Sequence, residues 1–137
     1  MQIYVSLLKI LKKKKVVDFG ISGFFCNDPT QAGSLKYLPP EVLIDQVPAN
    51  PGVDIWAMGC ILYRLIHGYA PFDGSTKLHI MERIINNECE INPKVEKEVT
   101  PECIDLIKRM LTKDPKERIN MLEVSNHVWL KSSIADL

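Results

Sequence analysis

Asp18-Phe19-Gly20 closes a short apolar stretch, Val16-Val17. A carboxylate oxygen is a suitable ligand for a hard cation, but Asp-x-Gly after an apolar stretch is, taken alone, more often simply a turn. Thr30, in Asp28-Pro29-Thr30, taken alone reads as a plain loop threonine. Thiol and imidazole chemistry has less support. The cysteines (Cys26, Cys60, Cys89, Cys103) form no C-x-x-C pair, and His67, His79 and His127 do not complete a zinc-ligand spacing. Cysteines scattered through separate segments, two of them strongly apolar, indicate a reduced, intracellular and cytoplasmic protein.

The elements that must position these residues come from 137 residues, 46% hydrophobic and 25% charged, the profile of one soluble domain. The 17 basic residues cancel the 17 acidic ones, so no overall field draws the chain to nucleic acid or an anionic membrane. Residues 1–15 form a separate start. An apolar run precedes Lys12-Lys13-Lys14-Lys15, the reverse of the order in a signal peptide. We read residues 6–11 and 16–19 as two short strands around a lysine-rich turn, with a basic surface-binding patch as the alternative for the lysines.

From Gly52 onward the periodicity is helical. Residues 55–66, IWAMGCILYRLI, are apolar on nearly every side and too few to span a bilayer. They therefore predict a central helix covered on all sides, with Asp54 near its start and Gly68 at its end. Residues 76–87 put Leu78, Met81 and Ile85 on one stripe with Ile80 and Ile84 alongside, capped by Ser75 or Thr76. Thr100 and Pro101 open another helix with Ile104, Ile107, Met110 and Leu111 on its buried face, ending before Pro115. A last helix starts at Asn120, with Glu123 completing a capping box, and runs toward Trp129.

The apolar strand with Asp18-Phe19-Gly20, then Gly33-Ser34 through Pro39-Pro40-Glu41, Asp54 through Cys60, Pro71-Phe72, and Asp114-Pro115-Lys116-Glu117-Arg118 follow in this order. Together, over residues 16–130, they resemble the second half of a eukaryotic protein-kinase domain, of the kind found in serine/threonine kinases of the calcium/calmodulin-dependent and AMP-activated group. The fold implied is mainly α with a short β-hairpin remnant, the incomplete C-terminal lobe of the two-lobe α+β kinase fold. Residues 16–41 hold the strand, Asp-Phe-Gly and activation segment, residues 42–130 a helical sub-lobe, and residues 131–137 a tail.

The resemblance assigns roles residue by residue. Asp18 matches the aspartate that holds Mg²⁺ against the phosphates of ATP, and Phe19 the aromatic whose packing distinguishes active from inactive states. Gly20 opens the activation segment, where Thr30 matches an activating phosphosite and Ser34 a hydroxyl that contacts the catalytic loop. Glu41 ends the Ala-Pro-Glu motif, with Pro39 replacing the usual Ala, and would pair with Arg118. Asp54 would bond backbone groups of the catalytic loop. The implied partners are protein substrates or another kinase.

The Gly-rich loop, the strand lysine and the catalytic H-R-D-x-x-x-x-N do not occur in the sequence. The catalytic aspartate, expected roughly twenty residues before Asp18, would fall at or before Met1, and the metal-binding asparagine near Val5. Three readings follow: an incomplete serine/threonine kinase, inactive as this chain alone; a non-catalytic interaction or regulatory module derived from one; or an unrelated helical module. With the catalytic loop absent, Trp56 and part of the surface of residues 58–65 are expected to face water, giving a partner an apolar face on the 54–66 helix to cover.

Overall fold

The structure, a computed structural model, describes residues 35–47 and 50–135, with side chains as far as Ser132. The predicted hairpin, Asp18-Phe19-Gly20, Thr30 and Ser34 lie outside the described residues. Among the described residues there are helices and turns and no strands.

Chain order gives α1 Pro40–Asp45, α2 Pro51–His67, α3 Lys77–Asn86, α4 Pro93–Glu96, α5 Pro101–Met110, α6 Met121–Asn126 and α7 Val128–Ala135. Local chemistry sets most of their starts. Asn50 caps α2, its side chain accepting from the N–H groups of Gly52 at 2.9 Å and Val53 at 3.3 Å, while Pro51 fills the first turn, where its missing N–H costs nothing. The helix thus begins a turn earlier than the apolar run. Thr76 caps α3 and Thr100 caps α5. Asn120 and Glu123 form the reciprocal capping box at α6, with bonds of 3.0 Å and 2.8 Å.

α2 is the centre of the fold and packs chiefly against α5. Ile55, Trp56, Cys60, Leu62 and Tyr63 from α2 meet Leu106, Ile107 and Met110 from α5, with Ile80 and Ile84 of α3 closing one side. The two central helices touch most closely at Gly59. A Cβ there would lie 2.8 Å from Met110 Cβ and 3.0 Å from Leu111 Cδ2. At the other end of α2, Gly68 adopts φ 81° and its N–H returns to the Arg64 carbonyl at 2.8 Å, a left-handed stop that costs a side-chain-bearing residue energy.

Three expectations need correction. Trp56 does not face water: its exposure is 0%, because Phe72 stacks against it at 5.7 Å and the cations of Lys113 and Arg118 cover its ring at 5.3 Å and 5.1 Å. Nor is α2 covered on every side, since Ile61 and Leu65 remain 43% and 39% exposed. In α3 the buried stripe is Ile80 and Ile84, whereas Leu78 is 75% exposed. At about 100° per residue Leu78 lies about 200° around the helix from Ile80, so the two cannot share a buried face.

The last predicted helix is two. At His127 the backbone turns extended, with φ −61° and ψ 138°. The imidazole then bonds in both directions, Nδ1 accepting from the Trp129 N–H at 3.3 Å and Nε2 meeting the Asp105 carboxylate at 3.0 Å. This fixes α7 to α5.

Two glycines and two α3 residues test this packing by urea denaturation. Gly59→Ala is expected to destabilise by about 1–2 kcal/mol, overpacking against Met110 outweighing alanine's better helix propensity. Gly68→Ala, which meets open space, should cost about 1 kcal/mol through backbone strain alone. Ile84→Ala should cost about 2–5 kcal/mol, and Leu78→Ala less than about 0.5 kcal/mol.

Candidate functional site

The segment carrying Leu35 to Glu41 enters α1 through Pro39, in extended conformation, and Pro40, whose fixed φ suits a first helical turn. That geometry turns Glu41 inward, and its side chain is buried. Arg118 approaches it from the turn after α5. Asp114 builds that turn, its carbonyl accepting from the Glu117 and Arg118 N–H groups and its carboxylate from the Lys116 N–H at 2.8 Å.

The two side chains meet as a bidentate pair. Arg118 Nη1 donates to Glu41 Oε1 at 2.7 Å and Nη2 to Oε2 at 2.9 Å, with side-chain exposures of 1% and 6%. The remaining donors reach backbone carbonyls: Nη1 to Gly52 at 2.9 Å, Nη2 to Lys113 at 3.2 Å and Nε to Thr112 at 2.9 Å. A guanidinium has five N–H donors in a fixed plane, and all five are used here. One residue thereby holds α1, the first turn of α2 and the α5–α6 connection in register, while its plane rests on Trp56.

Lys113 forms the second cationic contact of this region. Its Nζ sits 4.0 Å from the Phe72 ring centroid and donates to the Ile84 carbonyl at the end of α3. Burial pulls its pKa down to about 8, against the opposing pull of Glu88. The lysine thus joins the Trp56–Phe72 stack to α3. In sequence it reads as one more solvated lysine beside Asp114, and no periodic signal marks it.

The Leu35–Tyr37 segment is tethered at two points. Lys36 Nζ pairs with Asp73 at 2.7 Å, and Arg64 Nη1 donates to the Tyr37 hydroxyl at 2.7 Å. The Lys36 hydrogen bond chiefly holds the Asp73 carboxyl below its usual range, but both groups are exposed enough for solvent to screen the pair. Asp54 is exposed in the first turn of α2, where the helix dipole favours a carboxylate.

Of the residues singled out in the sequence, the structure brings together Glu41 and Arg118. It leaves Asp54 apart, at the surface. The described cysteines are free thiols. Burial raises Cys60 and Cys89 to about 12 and Cys103 to about 11, which keeps them protonated and unreactive at neutral pH. Among the described residues no His, Cys, Asp or Glu cluster suits a metal ion, and no helix is long and apolar enough to cross a membrane.

Comparison with known proteins agrees with this architecture. The family model for the protein kinase domain matches residues 7–130. A probable serine/threonine-protein kinase MARK-A of Dictyostelium discoideum is 37% identical over 130 residues, covering 93% of this chain and 12% of its own length. An SNF-related serine/threonine-protein kinase of Homo sapiens is 39% identical over 120 residues, covering 85% of this chain and 15% of that protein. Among solved structures, the autoinhibited serine kinase domain of the giant muscle protein titin superposes with a TM-score of 0.68 at 32% identity, over 76% of this chain and 32% of that one. The chain therefore spans only a small part of the relatives it matches. Its helical core, the turn that carries Arg118 and the match over residues 7–130 lead to one assignment: the chain belongs to the protein kinase domain family.

Proposed function

We propose that this chain is the activation-segment and helical part of a serine/threonine protein kinase, the part that presents protein substrates for phosphoryl transfer from ATP, and that these residues alone are catalytically inactive. The observation that carries the reading is the buried bidentate pair of Glu41 and Arg118. In a kinase this pair fastens the end of the activation segment to the helical lobe, so the segment's substrate-facing stretch, Leu35 to Tyr37, stands on a rigid base. Gly33-Ser34 and the serine/threonine kinases among the relatives favour Ser/Thr over Tyr as acceptor. In the same reading Thr30 is a candidate phosphosite, whose phosphate would order the segment only with the arginine that normally precedes the catalytic aspartate and does not occur in this sequence; Ser34 matches the hydroxyl that contacts the catalytic loop, and Phe19 and Gly20 complete the switch motif at its start.

Inactivity follows from what phosphoryl transfer requires. Bound Mg²⁺ would neutralise charge on the ATP phosphates, and Asp18 is the one carboxylate in the sequence matching a ligand for it. The described residues hold no further donor cluster, and the sequence contains neither the catalytic base nor the phosphate-covering loop. These parts act as a unit, so one ligand left from the set gives no fractional activity.

Purified chain with Mg²⁺, ATP and serine-containing peptides should therefore transfer no more phosphate than its Asp18→Ala variant. Turnover that Asp18→Ala abolishes would overturn the inactivity reading. For the anchor, Arg118→Ala should destabilise the chain by about 3–5 kcal/mol, because Glu41 is left buried without its countercharge. Arg118→Lys should recover less than half of that loss, since an ammonium cannot reproduce five donors in one plane. Chemical denaturation checks both.

A further inference from the structure

The last turn of α2 carries a cluster that the kinase reading does not use. Tyr63 and His67 stack with ring centroids 3.7 Å apart and planes within 4° of parallel, and Tyr69 stands edge-on to both at 6.0 Å and 5.7 Å. This set meets the stretch that leads into α4. The Tyr63 hydroxyl donates to the Glu90 carbonyl at 2.8 Å, and the Asn92 N–H donates to His67 Nε2 at 3.2 Å. The other ring nitrogen, Nδ1, lies 3.1 Å from the Tyr63 carbonyl.

These contacts assign the tautomer. A carbonyl oxygen only accepts, so Nδ1 carries the proton; a backbone N–H only donates, so Nε2 keeps its lone pair. Both bonds exist together in the neutral imidazole alone. A proton on Nε2 would set one N–H against another.

We propose that His67 is a proton-operated latch, which fastens residues 90–92 to the end of α2 while neutral and releases Asn92 when Nε2 takes up a proton. Asn92 also caps α4, its Oδ1 accepting from the Lys94 N–H at 2.9 Å, so its release loosens the start of that helix as well. Burial moves the His67 pKa below its usual 6.5, in the same direction as the geometry. The unfolded chain then binds the proton more readily than the folded one. The latch's stability contribution is present above about pH 6.5 and is lost as pH falls through the lower folded-state value.

The other titratable or charged groups on the surrounding elements are Tyr63, Arg64 and Tyr69 on the α2 side, and Glu88, Cys89 and Glu90 on the facing stretch. Arg64 is engaged with Tyr37. Burial raises Tyr63, and raises Cys89 to about 12, so neither changes charge between about pH 5 and 8. The Glu88 and Glu90 carboxylates are separated from the effect by the Glu88→Gln and Glu90→Gln variants.

The test uses the full chain. Long-range ¹⁵N–¹H correlation should find Nδ1 protonated and Nε2 bare near neutral pH. The exchange protection factor of the Asn92 amide should fall by roughly tenfold or more as pH is lowered from about 7 past the His67 midpoint, read from its ring shifts in the same titration, while that of Ile107 in α5 holds. His67→Phe keeps a stacking ring without either nitrogen and should lack Asn92 protection at every pH, whereas both Gln variants should keep the wild-type profile. A proton on Nε2 at neutral pH, unchanged Asn92 protection across the titration, wild-type protection in His67→Phe, or loss of the pH response in a Gln variant would each overturn the proposal. If His67→Phe does not fold, the two wild-type measurements decide it.

Discussion

Arg118 and Glu41 are 77 residues apart in sequence and fully engaged with each other in a buried setting. A buried ion pair of this kind gains little over a well-packed apolar substitute, because two charges must first be stripped of water. Its physical importance lies in exclusivity. Once α1 brings Glu41 inside, only a planar cation with matching donors satisfies both oxygens, and Arg118 then has exactly three donors left for the carbonyls of Gly52, Thr112 and Lys113. The position of α1 relative to α2 and to the α5–α6 connection follows from that saturation.

The aromatic groups beside the pair complete the constraint. Trp56 is covered by the Phe72 ring and by the cations of Arg118 and Lys113, so the centre of α2 is shielded by residues from two separate stretches of chain. Lys113 in turn donates to the Ile84 carbonyl in the last turn of α3. Charge and aromatic area thus act together where the apolar helix would otherwise meet water, which is why Trp56 is buried although the sequence suggested exposure.

What was legible in the sequence was local. The Thr76, Thr100 and Asn120 caps, Pro101 and the Gly68 stop each depend on neighbours within four residues, and all could be read directly. The buried face of α5 was equally plain. The stripe of α3 was not, because Leu78 and Ile84 are equally apolar and only the tertiary neighbours choose between their sides of the helix. The short helices α1 and α4 carry too few turns for a periodic signal. The Glu41–Arg118 pairing came from family resemblance, since nothing local relates residues so distant, and the Lys113 and His67 contacts had no sequence signature.

The two ends of α2 therefore differ in the kind of bond that holds their neighbours. At the N-terminal end a guanidinium, charged at any physiological pH, fixes α1 through Glu41; every donor is used, and no change in protonation is open to it. At the C-terminal end an imidazole does the equivalent work for residues 90–92 with one donor and one acceptor, roles that a single proton makes incompatible. A rigid core helix can thus hold one neighbouring segment permanently and another conditionally. The difference arises from side-chain chemistry alone, since the same helix, Asn50-capped at one end and Gly68-capped at the other, supports both.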